Sequence, residues 1–218
     1  IKYPGSGLDD LVFNKKNDIK ALFTLTADSS TGIGTKTATI KGKDTDIYGN
    51  NALSVSYKIV AATLTEDNVT VGAADPYDGE EQKPDITVTV DGQEKTLNTD
   101  YTVKYENNIN AGEATVTVTG KGNYTGTVTK TFEIAKADLP AIGSLKYDDI
   151  EKQTYTGSAI EPKVVNLKNR DTEKSFVEGT DYTLSYKNNT EVGTTASVVI
   201  AGAGNYNSEP TREINFEI

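Results

Sequence analysis

The chain repeats itself, and that recurrence limits its possible folds more tightly than any other feature. Residues 100–112 read DYTVKYENNINAG, and residues 181–193, eighty-one positions later, read DYTLSYKNNTEVG. GKGNY at 120–124 returns as GAGNY at 202–206, FEI at 132–134 as FEI at 216–218, and YDGEEQKP at 77–84 as YTGSAIEP at 155–162. A weaker copy opens the chain. FTLTA (23–27) aligns with YTVKY, Gly34 with Gly112, TATIKG (37–42) with ATVTVTG, YKI (57–59) with FEI, and YPG (3–5) with the Tyr-x-Gly of the other copies. A period of roughly 60 to 85 residues is the size of a small domain. The expected units are 1–61, 62–136 and 137–218, with junctions near 60–62 and 135–140.

Each unit alternates apolar and polar residues with period two. Ala114, Val116 and Val118 fall on one face and Thr115, Thr117 and Thr119 on the other. Tyr101, Val103 and Tyr105 alternate likewise, as do Ile214, Phe216 and Ile218. This is the pattern of half-buried antiparallel strands. Short strands between Gly, Asn and Asp clusters predict an all-β fold of antiparallel sandwiches in series. The stretch 9–23 is a candidate for a helical turn, and no other helix is expected. Residues 63–73 (TLTEDNVTVGA) read as the first strand of the second unit. Lys130 falls on the apolar face of its strand, which places it near an edge or strand end. In the first unit only Ile1 and Lys2 precede Tyr3, so its opening strand is expected to be missing. The bare edge is then left open, covered by 6–20, or paired with another molecule. The first unit should be the least stable.

GKGNYTG at 120–126 looks like a phosphate-binding loop. Such a loop needs a following helix whose N-terminus supplies amide donors. Here strand-like TGTVTKTFEI follows, and Lys121 becomes Ala203 in the second copy. The motif therefore reads as a connection between strands, with Tyr124 turning back over the core edge. Ten of the twelve tyrosines occupy equivalent positions. A tyrosine stripe can stack on sugars or proteins, or it can pack with each hydroxyl on a backbone partner; packing is the expectation. Asn107-Asn108 and Asn188-Asn189 read as turn residues, since Asn tolerates left-handed backbone.

Cys and His are absent, which removes thiolate nucleophiles, Ser-His-Asp triads, structural zinc and haem ligation together. A net charge of −10 opposes nucleic-acid backbones and anionic membranes. No run of 18 or more apolar residues is present to span a bilayer. The start at Ile1 and the lack of Met suggest a piece of a longer or processed protein. Adjacent carboxylates occur at Asp148-Asp149 and Glu80-Glu81, but an acid and a base need different environments in a cleft. Calcium could use the acidic junctions, Glu66, Asp67, Asp75 and Asp78 at the first and Asp138, Asp148, Asp149 and Glu151 at the second. No spaced Asp-x-Asp-x-Asp-Gly loop is present, and Asp-Thr-Asp at 44–46 is too short. The expectation is no catalytic residue, no metal site and no cofactor.

YTGSAIEPKV, GTDYTLSYKNN, VGTTASVVIAGAGNY and GKGNYTGTVTKTFEI together resemble the tandem Ig-like repeats of surface and secreted proteins of Gram-positive gut bacteria. The resemblance is strong over 70–218 and weak over the first 60 residues. It implies an extracellular β-sandwich module, strung in series beside other domains, with no catalytic residues to carry over. The expected function is a non-catalytic stalk that spaces or presents neighbouring domains at a bacterial surface. The alternative is an adhesin-type module for glycan or host surface protein. Its candidate binding segment is NLKNRDTEKSFVEG (166–179), which is longer than TVDGQEKTLN (89–98).

Overall fold

The computed structural model describes residues 23–27, 32–43 and 50–218. The Tyr-x-Gly at 3–5, the segment 6–20, Asp-Thr-Asp at 44–46 and Tyr48 lie outside the described residues. So does the proposed helical turn, except Phe23, which is strand. The described chain is nearly all β. It divides into two compact units. One comprises residues up to Leu64 with 97–102 and 119–126; the other comprises 65–96, 103–118 and 127–218.

In the first unit, β1 (Phe23–Ala27), β2 (Gly34–Gly42) and β3 (Ala52–Ile59) form an antiparallel meander with β2 central. Leu25 pairs with Ile40 and Ile40 with Leu53, while Ala38 pairs with Val55, so the apolar residues fall in register across one face. Register of this kind follows from the period-two pattern, because a one-residue slip would send every apolar side chain to the other face. Leu25 is nevertheless 68% exposed, Leu53 63% and Val55 48%. After β3, the short strand β4 (Ala62–Thr63) runs parallel to β10 (Tyr124–Thr125).

The stretch 63–73 is not one strand. A 3-10 turn at Glu66–Asn68 divides it, leaving β5 as Val69–Val71. The cause is local. The Asn68 carboxamide oxygen accepts from the Thr65 amide at 2.8 Å and from the Thr65 hydroxyl at 3.0 Å, a side-chain alternative to ladder pairing. Its Nδ2 then donates to the Thr89 carbonyl at 2.9 Å, which ties the turn to the neighbouring strand. A second 3-10 turn, Ile142–Ser144, holds the corresponding place near the start of the third repeat segment (137–218, the second being 62–136). In both, a buried leucine precedes the turn (Leu64, Leu139) and a buried aliphatic follows it (Val69, Leu145). The expectation of no helix beyond 9–23 is corrected by these two single turns.

β5 pairs with β6 (Ile86–Val90), and β6 with β7 (Gln93–Glu94). Asp91 and Gly92 make the β6–β7 turn, both at positive φ (52° and 73°), the backbone a tight hairpin requires. A separate sheet holds β8 (Tyr101–Glu106), β9 (Gly112–Gly120) and β11 (Thr127–Ile134), with β9 central. Ala114, Val116 and Val118 are fully buried on one face of β9, as the alternation predicts. Each such valine contributes about 1.5–3 kcal/mol by burial. Lys130 is half-buried on β11, an edge strand, as read from the sequence.

In the third segment, β12 (Leu145–Lys146) pairs with β13 (Lys168–Asn169). β14 (Tyr182–Lys187), β15 (Ala196–Gly202) and β16 (Arg212–Phe216) form a sheet with β15 central. Ala196 through Ile200 are all buried, so β15 is covered on both faces. The run TASVVIA is accordingly more continuous in its apolar residues than its counterpart EATVTVT. Ser197, the polar member, reaches the Glu213 carboxylate at 3.4 Å.

The exposed apolar side chains of β1 and β3 set an expected order of local stability. Amide hydrogen exchange should be faster in 23–27 and 50–59 than in 101–134. Slower exchange in the first group would contradict that order.

Candidate interaction site where the second and third segments meet

The Gly-x-Gly-Asn-Tyr turns do the same structural work in both places. Lys121 N donates to Asp100 O at 2.8 Å, and Ala203 N to Asp181 O at 2.9 Å. These are main-chain bonds, which is why the lysine can become alanine. The Lys121 ammonium is itself spent on the Asn98 carbonyl at 2.8 Å. Each turn also receives the chain entering its own segment. Ala62 N donates to Asn123 O and Leu64 N to Thr125 O; Ala137 N donates to Asn205 O, and Asn207 N returns to Ala137 O. Gly202 leaves no room for a side chain, since a Cβ there would lie 2.1 Å from the Asn207 carbonyl oxygen. Gly122 and Gly204 have φ of 66° and 57°, in the left-handed region.

The tyrosine hydroxyls find backbone acceptors, as the packing reading expects. Tyr105 donates to Pro84 O at 2.7 Å and Tyr186 to Pro162 O at 3.1 Å. Burial pushes the Tyr182 and Tyr186 phenols above their ordinary value. The paired asparagines act as turn residues. Asn107 and Asn188 hold positive φ. The next residues reach inward, Asn108 to Gln82 O at 2.9 Å and Asn189 to Ile160 O at 3.1 Å. Among the described residues no buried side-chain polar atom lacks a partner.

A second use of the 202–206 turn was not legible from the repeats. The Asn205 side chain accepts from the Ala111 amide at 2.9 Å and donates to Asn110 Oδ1 at 3.1 Å. Beside it, the Tyr206 ring meets the Tyr77 ring edge-on, with centroids 5.5 Å apart, and the Phe176 ring at 5.4 Å. Lys174 lies over Tyr77, its Nζ 4.7 Å from the ring centroid, and donates to Asp78 O at 3.0 Å. Burial weighs against that charge. The Tyr206 and Tyr77 oxygens together outweigh it and hold the ammonium above its ordinary value. Burial raises the Tyr206 phenol against the opposing pull of Lys174. The extra segment 166–179 therefore sends Lys174 into this contact, and its Phe176 packs behind Tyr206 within its own segment. The sequence signal was its length; the destination was not readable.

The carboxylate candidates do not converge. Asp148, Asp149, Glu80 and Glu81 are exposed. Asp148 accepts from Asn166 at 2.7 Å, Glu81 pairs with Lys83 at 2.5 Å, and Asp138 accepts from Asn207 at 2.8 Å. Asp78 Oδ1 caps its own turn through the Glu80 amide at 2.8 Å. Among the described residues no group of three or more acidic side chains is placed to hold a metal ion, and no helix is long and apolar enough to cross a membrane. Comparison with family models, curated proteins and solved structures returns no match to this chain.

Two outcomes are expected. Gly202→Ala should destabilise the third segment by about 3 kcal/mol through backbone overlap, against about 1 kcal/mol for Gly122→Ala, where the cost is left-handed φ alone. Urea unfolding followed by near-UV circular dichroism gives the comparison, and equal effects would refute the assignment. Lys174→Ala should cost about 1 kcal/mol, read as roughly fivefold faster exchange at the Tyr77 amide. Folding raises both Lys174 and Tyr206, so their contribution is fully present below about pH 10 and is lost as pH rises further.

Proposed function

We propose that the chain is a non-catalytic, extracellular Ig-like stalk that spaces or presents neighbouring domains at a bacterial surface. One observation carries the reading. The most distinctive extra sequence, 166–179, reaches the preceding segment through Lys174, while its Phe176 backs the Tyr206 ring that Tyr77 meets. A spacer requires defined orientation between modules, and this contact supplies it with a cation over an aromatic face, paired rings and two asparagine bonds. The hydrogen-bonding pattern recurs in both segments with different side chains, which suits a scaffold more than a site. Location and Ig-like character rest on the sequence resemblance.

The second reading, an adhesin for glycan or host protein, draws on Val165 and Val177, which are 50% and 56% exposed at either end of that segment. Glycan-array and host-matrix binding by the full chain separates the two. The spacer reading expects no saturable binding. Saturable binding that is lost in Val177→Asp but retained in Lys174→Ala would establish the adhesin instead.

A further inference from the structure

The second segment presents five positions to the third: Tyr77, Asp78, Gly79, Asn110 and Ala111. Tyr77 takes the Tyr206 edge and the Lys174 ammonium; Asp78 offers its carbonyl to that ammonium. Gly79 keeps the approach clear, since a Cβ there would lie 2.9 Å from Lys174 Nζ. Asn110 and Ala111 hold the Asn205 carboxamide.

The third segment carries the same five positions as Tyr155, Thr156, Gly157, Glu191 and Val192. The turn is built the same way. Gly79 and Gly157 have φ of 96° and 78°. The Glu80 amide is capped by Asp78 Oδ1, and the Ser158 amide by Thr156 Oγ1 at 3.3 Å. Behind it, Gln82 N bonds Asn108 O and Ile160 N bonds Asn189 O, so strip and loop are joined identically. The substitutions keep the chemistry. Glu191 still offers a carboxyl oxygen where Asn110 offered an amide oxygen, and Val192 keeps its amide donor.

The loop's exit differs: β9 begins at Gly112, whereas 192–193 form a turn, Thr194 Oγ1 donates to Glu191 O at 2.9 Å, and β15 begins only at Ala196. Cover differs as well. Tyr77 and Ala111 are half-buried, whereas Tyr155 is 50% and Val192 62% exposed. An open cleft of about 580 Å³ lies beside Val192 and Gly193, bounded by Lys152, Glu217 and Ile218. Tyr155 and Gly157 are not part of that cleft; they are tied to the Val192 loop through the Ile160–Asn189 bonds, so two exposed apolar side chains and an acceptor lie on the positions that are occupied in the second segment.

We infer that this face is a docking socket for another module bearing a Gly-x-Gly-Asn-Tyr turn, joined in the same chain. The asparagine carboxamide of that turn takes the Val192 amide and the Glu191 carboxylate, and its tyrosine meets Tyr155 edge-on. This deepens the stalk reading by naming its neighbour, and its test is separate. Saturable glycan binding would sink the stalk role without altering exchange at Val192.

The experiment appends residues 135–218 after Ile218 of the full chain, a join that keeps the FEI register. The Val192 amide should exchange at least tenfold more slowly, and Tyr155 should resist tetranitromethane nitration. Asn205→Ala in the appended copy alone should restore the Val192 rate. Unchanged Val192 and Tyr155 beside a folded appended copy overturns the proposal. If the extended chain does not fold, the socket is tested in place. Asp78→Thr, Asn110→Glu and Ala111→Val together convert the second segment's socket to the third's. Protection of the residue 111 amide should stay within about threefold, and its loss overturns the proposal. Concentration-dependent dimers of the 218-residue chain, abolished by Tyr155→Ala, would place the occupant on a second copy and overturn the same-chain assignment.

Discussion

The Asn205 peptide group serves two masters. Its carbonyl receives the Ala137 amide and so closes the third segment onto its own entering strand, while its side chain bonds the loop at 110–111. Internal closure and external contact therefore share a residue. The path of the turn depends on Gly202, which admits the returning backbone, and on Gly204, which holds positive φ. That path places the carboxamide outside the segment, and the aromatic contact follows because Tyr206 is the next residue.

Arg212 reinforces the arrangement from β16. Its guanidinium donates to the carbonyls of Leu139 and Pro140, the residues through which the chain enters the third segment. An arginine fork suits two neighbouring carbonyls better than a point charge does. The entry is thus held on both sides, by the turn at 203–207 and by the last strand. Leu139, 2% exposed between them, anchors it in the core. The entering chain is thereby fixed to the segment it enters.

Much of the fold was legible because side-chain period reports strand faces directly. Ala114, Val116 and Val118 behave as read, and so do Asn107 and Asn188, whose left-handed backbone follows from residue type. The 3-10 turn at 66–68 was missed because it depends on one side-chain bond, Asn68 to Thr65, which competes with the strand pattern around it. The contact between segments was missed for a different reason. Tyr77 and Tyr206 looked like internal packing residues, and recurrence marks a position without saying which module it touches. Lys174 had no counterpart, so repetition was silent about it. Its role depends on a ring 97 positions away in the chain.

The contact is asymmetric, a turn on one side and a tyrosine-glycine strip on the other. An interface of two unlike surfaces is heterologous, and no two-fold axis relates its halves. It cannot satisfy itself by pairing with its own mirror position, as a symmetric dimer face does. Under the docking proposed above, a segment that offers its turn keeps its strip for a following one. Covalent order, rather than protein concentration, would then decide how many units are joined, and the direction of the chain would be the direction of assembly.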